Sequence, residues 1–125
     1  MVSGRQLNVL VVDHDEAACS VTSLMLEDLG YHAQCETHSL MALRIFSEEP
    51  DKFDFAILEP IMPELMGVEL AVRFRRIRPG FPVVFYTGYL DEHSPEGIEA
   101  ARLGRVILKP LMLKELAVAI KDQLR

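Results

Sequence analysis

The sequence predicts an α/β fold: a single doubly wound parallel sheet of five strands with five helices. Three observations predict it. Short apolar runs recur at 7–12, 55–58, 82–86 and 106–108, and runs of that kind read as strands buried on both faces. Between them lie longer stretches whose apolar residues return every three or four positions, the spacing of an amphipathic helix. Strand and helix alternate five times along the chain. That alternation argues for parallel strands, helices on both faces and right-handed crossovers.

Taken in order, Leu7-Asn8-Val9-Leu10-Val11-Val12 forms the first strand. Asp15 is placed as the cap of a helix striped by Ala18, Val21, Met25 and Leu29, and Gly30 ends it. Residues 32–36 make a short second strand. Ser39 is placed as the cap of a second helix with Leu40, Leu43 and Phe46 inside, stopped before Pro50. The third strand, 55–58, ends abruptly in Glu59, and Pro60, Pro63 and Gly67 follow. A third helix, 67–77, carries Val68, Leu70, Ala71, Phe74 and Ile77, and Pro79-Gly80 terminates it. The fourth strand, 82–86, is closed by Thr87-Gly88. In the fourth helix, 94–103, Pro95 suits the first turn and Gly97 lowers helix propensity. The fifth strand, 106–108, ends in Lys109-Pro110, and Leu113, Leu116, Ala117, Ile120 and Leu124 stripe the last helix.

The 125 residues are read as one domain, 1–125. Half of them are apolar, which argues against disorder. The net charge of −6 is spread along the chain and offers no basic face, so nucleic acid is not expected as a direct partner. No apolar stretch approaches bilayer length, so no membrane is expected either. MVSGRQ lacks the apolar core of a signal peptide, and a cytoplasmic setting is expected. Cys19 and Cys35 have no CxxC spacing and read as packed, reduced thiols, with a disulfide as the alternative.

In sheets of this class reactive groups gather at the carboxyl ends of the strands. The first strand ends in Asp13-His14-Asp15-Glu16, the third in Glu59, the fourth in Thr87-Gly88 and the fifth in Lys109-Pro110. Each has a plain structural use, as a helix cap, a turn tie or a solvated lysine. Four strand ends that together deliver acids, a hydroxyl and an ammonium to one rim suit a different task, handling a phosphoryl group with a divalent ion. A carboxylate on the third strand would then be the nucleophile.

At these residues the sequence resembles the receiver (response regulator) domain of bacterial two-component signalling. VLVVD at 9–13, MPELMG at 62–67, YTGY at 86–89 and LKP at 108–110 carry the resemblance. It implies a flavodoxin-like sheet of order 2-1-3-4-5 and a cis peptide between Lys109 and Pro110. It implies a phosphoacceptor position at Glu59 and Mg²⁺ ligation by Asp13, His14 and the backbone carbonyl of Ile61. Thr87, Lys109 and Val106 would be the phosphoryl-pocket and switch positions. A histidine kinase, a phosphotransfer protein or an output domain would be the partner, and the domain would not itself be an enzyme. The readout face would join the fourth helix, fifth strand and fifth helix, with Arg105, Lys114, Glu115, Val118 and Asp122 on it. A homodimer would form through the fourth-helix face.

Three positions depart from the family pattern. Glu59 stands where the family has aspartate, and its extra methylene moves the carboxylate by about 1.5 Å. A displacement of about 1 Å can cost in-line transfer roughly 10²-fold. Glu59 is expected to reach toward Lys109 and to imitate part of a phosphoryl charge. His14 stands where the family has a second acid, and imidazole suits a hard cation poorly, so Mg²⁺ binding is expected to be weak. Below about pH 6.5 an unperturbed histidine becomes cationic and could pair with Glu59 in the metal's stead. Val106 replaces the aromatic switch residue. The leading reading is a degenerate receiver that acts through protein–protein interaction. A phosphorylatable receiver, or an engineered phosphomimic cut from a hybrid histidine kinase, is the alternative. Asp13-x-Asp15 also resembles the nucleophile motif of haloacid dehalogenase-type phosphatases, although no paired acids follow Lys109. A transition metal held by His14, Asp13 and Glu59 is a further reading, with a small ligand set.

Overall fold

A computed structural model describes residues 6–88, 93–108 and 113–124. Ten elements alternate along the chain: β1 (Asn8–Val12), α1 (Glu16–Asp28), β2 (His32–Glu36), α2 (Ser39–Glu48), β3 (Phe55–Leu58), α3 (Gly67–Ile77), β4 (Val83–Thr87), α4 (Pro95–Leu103), β5 (Arg105–Leu108) and α5 (Leu113–Leu124). The strands pair in parallel in the order β2-β1-β3-β4-β5, the flavodoxin-like order. Among the described residues no helix is long and apolar enough to cross a membrane.

Side chains alternate across each strand, and β1 shows the result. Leu10 and Val12 enter a layer with α2, α3 and α4, where Phe46 stacks on Phe74 at 4.2 Å and meets Phe81 edge-on at 4.8 Å. Val9 and Val11 enter the opposite layer, with Leu26 of α1 and Leu116 and Ile120 of α5. Ser94 caps α4, accepting a bond from the Gly97 amide at 3.0 Å. Gly104 alone joins α4 to β5. A Cβ there would stand 2.3 Å from the Val83 carbonyl oxygen, so only glycine lets so short a connection pass over β4.

Several inner faces differ from the sequence expectation. On α1 the buried residues are Cys19, Thr22 and Leu26, whereas Val21 is 56% exposed. The helix turns inward two side chains that can satisfy their polar atoms locally, as the Cys19 thiol does on the Val11 carbonyl. Ser39 is not the cap of α2; His38 holds that position without a side-chain bond. Ser39 is buried instead, donating to the Pro63 carbonyl at 3.1 Å and accepting from the Leu65 amide at 3.2 Å. It thereby ties α2 to the loop after β3, and Ala42 rather than Leu40 fills the interior beside Phe46. Ile77 is exposed at the end of α3, and Ala119 rather than Ala117 is buried on α5. Strand β4 runs one residue further than expected and takes in Thr87, and β5 begins one residue earlier, at Arg105.

Candidate functional site

Register builds the site. Val12 of β1 lies beside Leu58 of β3, and the Glu59 amide donates to the Val12 carbonyl at 2.9 Å. Asp13 and Glu59 therefore leave adjacent strand ends side by side. Asp13 is wholly buried. A buried carboxylate needs hydrogen bonds to offset its lost hydration. Asp13 Oδ1 accepts from the Asp15 amide at 2.8 Å, and Oδ2 accepts from the Tyr86 hydroxyl of β4 at 2.5 Å.

His14 sits over the mouth of the site. Its ring Nδ1 contacts Glu59 Oε1 directly, and its backbone amide donates to the same oxygen at 3.3 Å. The same Nδ1 lies 3.8 Å from Asp13 Oδ1. Asp15, as expected, caps α1, accepting from the Ala17 and Ala18 amides at 3.0 and 3.4 Å. Gly67 lets α3 start against this strand end, because a Cβ there would fall 1.8 Å from the Glu59 carbonyl oxygen.

Residues 9–121 match the response regulator receiver domain family. The chain belongs to that family. It is 29% identical over 116 residues to the response regulator receiver protein CpdR of Brucella abortus, spanning 93% of this chain and 95% of that one. It is 28% identical over 125 residues to the transcriptional regulatory protein ZraR of Klebsiella oxytoca, spanning 98% of this chain but only 27% of that one. A CheY-like receiver domain structure from Methanospirillum hungatei superimposes with a TM-score of 0.83 at 26% identity, covering 96% of this chain and 94% of the other.

Within this receiver domain, Thr87 is buried at the end of β4, opposite Leu108. Val106 pairs with Phe85 and packs, half-buried, on the phenylalanine-rich layer. Ile61 lies two residues past Glu59 with its side chain exposed. Lys109 and the Lys109–Pro110 peptide lie outside the described residues, and so does any contact of Glu59 with that lysine. Arg105, Lys114, Glu115 and Val118 are exposed and Asp122 is half-buried. Arg105 Nη1 pairs with Asp122 Oδ2 at 2.5 Å, joining β5 to α5. Ile98 of α4, Leu108 of β5 and Val118 of α5 are exposed apolar residues on those same elements.

Tyr86 was hidden in the sequence as one more apolar residue of β4. The available signal was chemical: a tyrosine in a buried strand needs a partner for its hydroxyl. Burial first, and then the bond to Asp13, pushes the Tyr86 hydroxyl far above the ordinary phenol range; a bond with Thr22 opposes the rise. Beside it, burial and then the hydrogen bond to Cys35 push the Cys19 thiol far up. The Cys35 thiol donates to the Cys19 carbonyl at 3.0 Å, and both cysteines are free thiols.

Receiver domains hold Mg²⁺ at their acidic pocket, and Mg²⁺ wants oxygen donors in near-ideal octahedral geometry. Here Asp13, His14 and Glu59 bring one donor atom each within 4.8 Å of one another. Two of these donors suit Mg²⁺. The imidazole nitrogen does not, and it already engages the Glu59 oxygen. The donor set is a poor fit to magnesium.

Proposed function

We propose that residues 1–125 form an atypical receiver module of a two-component phosphorelay, working through protein–protein contacts and without turnover of its own. One observation carries the reading. The Glu59 carboxylate at the acceptor position is held by His14 through both ring and backbone, at the mouth of the pocket. A nucleophile must present a free lone pair to phosphorus in line. An oxygen bonded twice by its neighbour, on an arm one methylene longer than aspartate's, is poorly disposed for that. With imidazole in place of the second acid, Mg²⁺ binds weakly.

The proposed partners are a histidine kinase, a phosphotransfer protein or an output domain, met in the cytoplasm. The face formed by α4, β5 and α5 would receive them, or a second copy of this domain, through Val118, Lys114 and Glu115, with Arg105 and Asp122 holding it together. Exposed Ile98 and Leu108 support that choice of face.

Amide NMR spectra recorded with added Mg²⁺, and then with beryllofluoride, test the reading. Beryllofluoride stands in for a phosphoryl group and needs both the acceptor carboxylate and the metal. The expected result is no change at Asp13, Glu59 and Thr87. Shifts at millimolar Mg²⁺, and again on adding beryllofluoride, would make Glu59 a working acceptor and sink the proposal.

A further inference from the structure

We propose that Cys19 and Cys35 form an oxidation site, at which a small hydroperoxide converts the two thiols into a disulfide that ties α1 to β2 and shifts Asp13. The proposal does not depend on whether Glu59 accepts a phosphoryl group.

A buried thiol by itself is inert packing. These two thiols are placed against each other instead, although 16 residues separate them. Cys35 Sγ donates to the backbone carbonyl of Cys19 at 3.0 Å, and Cys35 is also the side-chain hydrogen-bond partner of the Cys19 thiol. Closing a disulfide therefore asks Cys35 Sγ to turn from the carbonyl of residue 19 to the sulfur of the same residue.

Access separates the two roles. Cys35 is half-buried on the edge strand β2, whereas Cys19 is wholly buried. A peroxide meets Cys35 first. Ser23 Oγ lies 2.7 Å from Cys35 Sγ and also bonds the Cys19 carbonyl at 2.9 Å, so its hydroxyl can turn to the sulfur as Cys35 gives up its proton. The Cys35 sulfur attacks one oxygen of hydrogen peroxide and the O–O bond breaks. Cys35 becomes a sulfenic acid and the other oxygen leaves as water. The Cys19 sulfur then attacks the Cys35 sulfur, the S–O bond breaks, and hydroxide leaves with the Cys19 proton as a second water. Two thiols lose two hydrogens and two electrons, and one peroxide is reduced to two waters.

The pair lies directly below the rim. Cys35 stands beside Val11 in the β1–β2 register, and the Cys19 thiol donates to the Val11 carbonyl at 3.5 Å. The next residue of β2, Glu36, accepts from the Asp13 amide at 3.2 Å. Drawing Cys35 toward α1 thus pulls on the strand end that holds the main chain of Asp13.

The test is to treat the folded protein with hydrogen peroxide, quench, alkylate in denaturant, weigh the intact chain and map its peptides. Wild type should lose two hydrogens and both alkylation sites, with the peptides of residues 19 and 35 linked. The amide signals of Asp13 and Glu36 should shift, and return on adding dithiothreitol. Cys35→Ser should leave Cys19 open to alkylation. Cys19→Ala should carry Cys35 past the sulfenic acid to the sulfinic acid. Amide spectra report whether each variant folds, and the half-buried Cys35→Ser carries the comparison if Cys19→Ala does not fold. A folded wild type that keeps both thiols overturns the proposal. So does a disulfide between two chains, equal sulfinic acid at Cys35 in wild type and Cys19→Ala, or a 19–35 link that leaves Asp13 unmoved.

Discussion

On the α2–α3–α4 side of the sheet, Phe46, Phe74 and Phe81 pack with centroids 4.2 to 5.9 Å apart among leucine and valine. On the α1–α5 side the aliphatic packing is interrupted by Tyr86 and Cys19, with Thr22 beside them and Asp13 above. One layer excludes water and supplies stability. The other runs a buried polar chain from helix α1 to the rim, and its upper end holds a carboxylate of the site. The two layers should therefore respond differently to substitution. Damage to the first should cost stability and leave the rim's chemistry alone. Damage to the second should cost less and alter the rim.

The largest effect should come from Phe46→Ala. Emptying the centre of the aromatic layer should cost about 3–5 kcal/mol in urea unfolding. The folded fraction should keep wild-type NMR signals at Asp13 and His14. Tyr86→Phe should cost less, about 1–3 kcal/mol, because it removes the hydroxyl that donates to a buried Asp13 oxygen. Unlike Phe46→Ala, it should move the Asp13 and His14 signals, and equal silence at the rim in both variants would erase the distinction.

The polar layer should also make stability depend on alkaline pH. Cys19 and Tyr86 titrate far above their ordinary values of 9.0 and 10.0 in the folded protein. As pH rises past those values the unfolded chain releases protons that the folded chain keeps, so stability falls. Urea midpoints measured from pH 8 to 11 should decline, and Tyr86→Phe should make the decline above about pH 10 shallower, with the share of Cys19 and Tyr31 remaining. The smallest effect belongs to neither layer. Glu64 holds φ at 68° in the loop after β3, a strain of about 1–2 kcal/mol for an L-residue. Glu64→Gly should therefore gain about 0.5 kcal/mol, after the entropy cost of glycine.

Strand content was most legible where the strands are buried on both faces, as in β1, β3 and β4, and the strand order came from the family resemblance. β2 and β3 fall at the residues where the sequence placed them. Helix faces were less legible. Counting apolar residues favoured Val21 and Leu40, while the fold buried Cys19, Thr22 and Ser39, whose polar atoms find partners close by. The rim was legible as a meeting of strand ends, and Asp13, His14 and Glu59 do converge. Tyr86 reaches Asp13 from 73 residues away, and nothing local in the sequence marks such a bond. The doubled hold of His14 on Glu59 was likewise beyond local pattern, since it depends on the register of β1 against β3.

The central claim is that His14 and Glu59 together keep this pocket from accepting a phosphoryl group. The most direct test is to incubate wild type and the double variant His14→Asp/Glu59→Asp with acetyl phosphate and Mg²⁺, and to weigh the intact proteins. Wild type should stay unmodified, and the double variant should gain one phosphoryl group at position 59. A phosphoryl group on Glu59 of the wild-type protein would contradict the claim.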